Sequence, residues 1–169
     1  MYIIKKVIHY INKHQIPVDV SDQPDFALSK QLQLRLPMEF GYDKYICLLG
    51  DLHIEQSLLV MHGEIIKGSG LDTMMQHANL STIGTAAAIV DANHIKRSRY
   101  CSQVSVVTIY KLLKAAHLES GSDLPPLDWL DEASKTSQMC FYWRMIFNFE
   151  IEYLIFIRAI REGNFQLYL

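Results

Sequence analysis

Paired cysteines, catalytic signatures and uninterrupted apolar runs are all scarce in this chain, and each scarcity closes a class of function. Only Cys47, Cys101 and Cys140 occur, each in an apolar-rich segment and without CxxC spacing. They read as buried free thiols, and an odd count fits a reducing compartment. The chain has no nucleotide-binding glycine loop, no GxSxG elbow, no HExxH helix and no nucleophile triad. Gly68 and Gly70 read as a helix stop. There is no internal repeat and no low-complexity tract. The opening MYIIKKVIHYINKH lacks a continuous apolar core and a small-residue cleavage site. The expected location is therefore intracellular, cytoplasmic or nuclear, and not secreted.

One segment resembles a membrane span in composition. Residues 139–157, MCFYWRMIFNFEIEYLIFI, include Arg144, Asn148, Glu150 and Glu152. Each central charge costs about 2.5–3.5 kcal/mol in a spanning helix. A mostly buried helix of a water-soluble fold is the better reading, with no membrane partner.

What remains is a folding chain. It has 169 residues, 50% hydrophobic and 20% charged, the opposite of a disordered composition. The formal net charge is −2 and the pI is near 6.4. Nothing global draws such a chain onto nucleic acid, so DNA contact requires a local patch.

Periodicity organises the chain. Ile3, Ile4, Val7, Ile8 and Ile11 share a helical face over residues 2–13. Ile16, Val18 and Val20 alternate as in a strand. Ser21 or Asp22 can cap a following helix, with Pro24 in its first turn and Pro37 past its end; Phe26, Leu28, Leu32 and Leu36 supply its apolar side. Residues 38–43 predict a turn, and KYICLLG a strand buried on both faces. Helices are expected over 53–67, LDTMMQHANL, STIGTAAAIVDAN, 95–118, DWLDEASK and the stretch from SQMC to Gly163, with GSDLPP (121–126) as the clearest loop. The fold class is helix-rich α/β: a small two-stranded parallel β-α-β unit with a right-handed crossover, followed by a mostly helical region. One domain, 1–169, is expected, with a βαβ part (1–52) and a helical part (53–169).

Parallel strands present functional loops at their carboxyl ends. Asp22 follows the first candidate strand; Asp51, His53 and Glu55 follow the second in GDLHIE. Carboxylates gathered there suit magnesium or manganese, which prefer oxygen ligands, and metals so held activate water against a phosphodiester. Helix capping is the stronger reading of both Asp22 and Asp51. Glu150 and Glu152 lie two apart in the most apolar helix, on different faces, so at least one needs a partner; Arg158 lies two turns from Glu150. A structural ion pair and a late metal-binding carboxylate are both open readings. Lys96, Arg97 and Arg99 in HIKRSRY form the one basic cluster, either a solvated helix start or a phosphate contact.

Four strings occur in order: DQPDFALSKQLQLRLP, KYICLLGDLHIE, HIKRSRYCSQV and FEIEYLIFIRAIREGNFQLYL. Together they resemble a large multicopy family of uncharacterised invertebrate mobile-element-like proteins, with DQPLYALAKQIQ-like, GGLHIEM-like, SHVTRTRYAHQV-like and REGNFELY-like motifs. The resemblance covers nearly the whole chain. Asp25 stands where that pattern has an apolar residue, and Asp51 where it has a second glycine. By analogy with ribonuclease H-like transposases, the resemblance implies a truncated ribonuclease H-like fold. In that analogy Asp22 matches a catalytic aspartate, His53 the histidine of the next motif, and Glu150 or Glu152 the late acid. Only 21 residues precede Asp22, so an earlier strand with a first catalytic aspartate is expected to be missing.

Two functions follow as expectations. One is a transposon-derived fragment of a nuclease-like domain, inactive alone, with catalytic candidates Asp22, Asp51, Glu150 and Glu152 and metal candidates Asp22, Asp51, His53 and Glu55. The other is a helical interaction or scaffold module whose acids are caps and ion pairs. DNA contact through Lys96, Arg97 and Arg99, and self-association through exposed strand edges, are the expected partner modes.

Overall fold

The structure, a computed structural model, describes residues 2–168; the side chains of Tyr2, Ile4, Ile83, Thr85, Phe165 and Tyr168 lie outside that description. The fold is helix-rich, with one small parallel sheet near the N-terminus. Its contacts divide the chain into residues 1–55 and 56–169.

The first unit begins with α1 (Tyr2–Ile11), where the apolar spacing predicts it. Strand β1 (Val18–Ser21) follows, and α2 (Gln23–Arg35) crosses over to β2 (Ile46–Leu49). The strands pair in parallel, Val18 with Ile46 through Ser21 with Leu49. The parallel β-α-β arrangement is therefore present. The turn expected at 38–43 instead begins with a single helical turn, α3 (Pro37–Phe40). Pro37 at the first helical position costs that turn nothing, because its missing N–H has no partner there anyway.

Two expectations fail in this unit. β2 is buried on one face only: Cys47 is 4% exposed, whereas Ile46 and Leu48 are 41 and 46% exposed. Cys47 faces α2, where Ser29 hydrogen-bonds its thiol, and burial pushes that thiol's pKa up. The second failure is the apolar side of α2. Its buried residues are Ser29 and Gln33, while Leu28, Leu32 and Leu36 are exposed. Gln33 explains the choice, since its Nε2 donates to the Tyr45 carbonyl at 2.8 Å and fixes that face inward.

The second unit contains the end of α4 (Asp51–Ile66), then α5 (Leu71–His77), α6 (Ile83–Val90), α7 (Ile95–Ser120), α8 (Pro126–Thr136), α9 (Gln138–Glu162) and α10 (Phe165–Tyr168). α4 starts two residues before the expected 53. Ser137 caps α9 by accepting from the Cys140 N–H, and Gly163 ends it with φ 60°. One cluster joins Ile66, Leu71, Met75, Ile89, Cys101 and Ile146. Another joins Leu59, Ala92, Tyr153 and Ile157. Tyr142 donates from its hydroxyl to the Ile65 carbonyl at 3.0 Å, tying α9 to α4. α4 also runs close to the end of α6, because Gly63 has no side chain: a Cβ there would stand 1.8 Å from the Val90 carbonyl oxygen. Among the described residues, no helix is long and apolar enough to cross a membrane.

Candidate functional site

The acids at the sheet edge come first. Asp22 directly follows β1, with extended backbone, and its Oδ1 accepts from the Asp25 N–H at 3.2 Å. It is the N-cap of α2. Asp51 is the first residue of α4, where a negative charge is favoured by the helix dipole. The Gly50 N–H donates to the carbonyl of Ser21, the last residue of β1, at 2.8 Å, continuing the parallel ladder one residue past the end of β2. Asp22 and Asp51 thus leave the same edge of the sheet, as parallel pairing requires. His53 is half-buried and Glu55 is 1% exposed. Among the described residues, no three of His, Cys, Asp and Glu form a group that could hold a metal ion.

The late acids separate by face. Glu152 is exposed, whereas Glu150 is 1% exposed. The cation expected for Glu150 is not the one it meets. Arg158 pairs with Glu162 at 2.8 Å, one turn along the exposed side of α9. Glu150 Oε1 instead lies 3.5 Å from His62 Nε2, and the His62 ring stacks on Phe149 at 4.9 Å. The reason is orientation: Arg158 keeps its charge in water, while position 150 points at α4. Burial pushes the Glu150 carboxyl up to about 8 and the His62 imidazole down to about 4. Both groups are therefore neutral near pH 7. Glu150 Oε2 has no hydrogen-bond partner among the described residues. The hollow that His62 and Glu150 share with Ser98, Cys101 and Ser102 measures about 10 Å³, too small for a substrate. Burial also raises the Cys101 thiol pKa, the opposite of what a nucleophile needs.

The basic cluster occupies the first turns of α7. Lys96 and Arg97 are exposed and Arg99 is half-buried. Arg97 rims an open hollow with Asn79, Ser81, Thr82 and Tyr100.

The feature that sequence reasoning missed is a cleft in the helical unit. It encloses about 340 Å³ among α5, α7, α8 and α9, within the size range of ligand and anchor-residue pockets. Leu71, Met75, Leu113 and Leu130 form its buried floor; Met74, Leu112 and Met139 stand exposed at 48, 59 and 72% around it. Both tryptophans of the chain, Trp129 and Trp143, line it, and none of the described lining residues is charged. The available signal was an excess: α7 carries apolar residues at Val104, Ile109, Leu112 and Leu113, more than one core-facing stripe requires.

Comparison of the chain with protein-family models, with curated proteins and with solved structures gives no match. The functional reading therefore rests on the geometry above.

Proposed function

We propose that this chain is a helical protein-interaction module without catalytic activity of its own, and that the cleft among α5, α7, α8 and α9 is where it takes a partner's apolar helix face. The observation that carries the reading is the cleft itself: uncharged, floored by aliphatic side chains, walled by two tryptophans and open to solvent. Apolar grooves of this kind receive amphipathic helices through anchors spaced three and four residues apart. Met74 and Met139 suit the role, because unbranched thioethers reshape around different anchors. The acids fit this reading as structural groups, with Asp22 capping α2 and Glu150 buried against His62.

The test is a calorimetric titration with a helical peptide built from leucine and lysine. The wild type should bind it, and Leu112→Lys, which puts a charge at the exposed mouth, should weaken binding about tenfold or more. Equal heats for both proteins would remove the cleft from the account.

A second reading keeps one specific observation in its favour. Asp22 and Asp51 leave the same edge of a parallel β-α-β unit, an arrangement that a piece of a ribonuclease H-like fold would also contain. On this reading the chain is a transposon-derived fragment of a nuclease-like domain, and the two carboxylates are remnants of a magnesium or manganese site. Calorimetry with manganese distinguishes the readings: heat that Asp22→Asn abolishes supports the metal site, and no heat, or equal heat for both proteins, discards it.

A further inference from the structure

α1 turns an apolar stripe to solvent. Ile3, Val7 and Ile11 follow one another at four-residue spacing and are 76, 56 and 80% exposed. Another side of the helix meets its own unit: Lys5 lies 5.7 Å over the Tyr45 ring, and Ile8 and His9 are half-buried. A surface helix ordinarily turns its aliphatic stripe inward. This one leaves three aliphatic anchors for something else to cover.

The flank beside that stripe is basic. Lys6 and Lys13 are exposed and, with Lys5 and His9, border an open hollow of about 660 Å³ beside α1 and α3. Glu39 is the one acid among the described residues that line it. Residues 1–18 hold no acid at all; the first is Asp19. Tyr10, 92% exposed, joins flank to stripe, because it stands four residues from Lys6 and three from Val7. Tyrosine is enriched at the headgroup level of a bilayer, where one end of the ring is apolar and the other wet.

The two surfaces together select the partner. A nucleic acid would meet the lysines and leave the aliphatic stripe in water. A protein groove clasps more of a helix's girth than α1 has open, since its Lys5 and Ile8 side is held by its own unit. An anionic bilayer takes both at once: aliphatic side chains enter the acyl boundary and ammonium groups meet the headgroup phosphates. We infer that α1 lies flat on an anionic lipid surface, with Ile3, Val7 and Ile11 turned into it and Lys6 and Lys13 against the headgroups. This contact is interfacial. It replaces the expectation of no membrane partner, which was drawn from a segment that would have to span, and it does not rest on the cleft.

Cosedimentation of the full chain with vesicles tests this. The wild type should pellet with mixed phosphatidylcholine and phosphatidylserine vesicles, and about tenfold or more weakly with phosphatidylcholine alone. Added salt should weaken the first and leave the second nearly unchanged. Val7→Asp should weaken binding to the mixed vesicles about tenfold or more, and so should Lys6→Gln combined with Lys13→Gln. Circular dichroism checks that each variant folds; the lysine pair replaces only exposed side chains and keeps the test decisive should Val7→Asp fail to fold. A wild type that stays in the supernatant, equal binding to both kinds of vesicle, or a lysine variant that pellets as the wild type does would overturn the inference. So would binding to a single-stranded DNA oligonucleotide with no binding to vesicles, which would assign the basic flank to nucleic acid.

Discussion

Glu150 Oε1 and His62 Nε2 face each other at 3.5 Å in the interior of the helical unit, on side chains 1 and 8% exposed. Each is driven toward its neutral form by burial, so α9 and α4 bury the pair without a net charge.

That neutrality sets a pH profile. His62 titrates near 4 when folded and near its ordinary 6.5 when unfolded, so its contribution is lost as pH falls from 6.5 toward 4. Glu150 titrates near 8 when folded and 4.5 when unfolded, so its contribution is present below 4.5 and is lost as pH rises toward 8. Between 4.5 and 6.5 the two slopes oppose and cancel. From pH 6.5 to 8 only Glu150 acts, and stability should fall by about 2 kcal/mol, at roughly 1.4 kcal/mol per pH unit. Urea unfolding across this range should show a plateau followed by a decline. Glu150→Gln should abolish the decline and expose a rise between pH 4 and 6.5.

Gly63→Ala should destabilise the helical unit. Alanine gains up to about 1 kcal/mol of helix propensity, but its Cβ would meet the Val90 carbonyl oxygen at 1.8 Å. Backbone must move, and such overpacking costs about 1–3 kcal/mol or more. A thermal midpoint at or above that of the wild type would show that α4 and α6 are not in close contact at this point.

The Asp22 cap separates structure from chemistry. Asp22→Ala should cost about 1 kcal/mol, whereas Asp22→Asn, an equally good cap, should leave stability nearly unchanged. A large loss for the asparagine variant would point to a role for the negative charge beyond accepting from the Asp25 N–H.

The basic turn of α7 makes its own prediction. If Lys96, Arg97 and Arg99 contact phosphates, DNA binding should weaken with salt, and replacing all three by alanine should lower the salt slope by up to about 3. Binding that survives the triple replacement with its slope intact would discard the patch.

Much of the scaffold was legible because local rules govern it. Asp22 before Pro24 and Gly163 after the long helix mark helix ends through capping chemistry that acts over a few residues. What stayed hidden depends on distant partners. Gln33 is buried because the Tyr45 carbonyl accepts from it, and no periodicity announces that bond. Glu150 could be recognised as a costly burial, but His62 lies on another helix, so the nearby Arg158 was the natural guess. The cleft draws its walls from four helices, each amphipathic enough to pass for ordinary core, and only their assembly reveals the space left open.

Tryptophan fluorescence tests the central claim most directly, because Trp129 and Trp143 both line the cleft and the chain has no others. Titration with an amphipathic helical peptide should shift their emission to shorter wavelength in a saturable way, and Leu112→Lys should move the midpoint of that shift to about tenfold or more higher peptide concentration while leaving the circular dichroism spectrum unchanged. An emission spectrum that does not move as peptide is added, or one that moves with the same midpoint in the variant, would contradict the account.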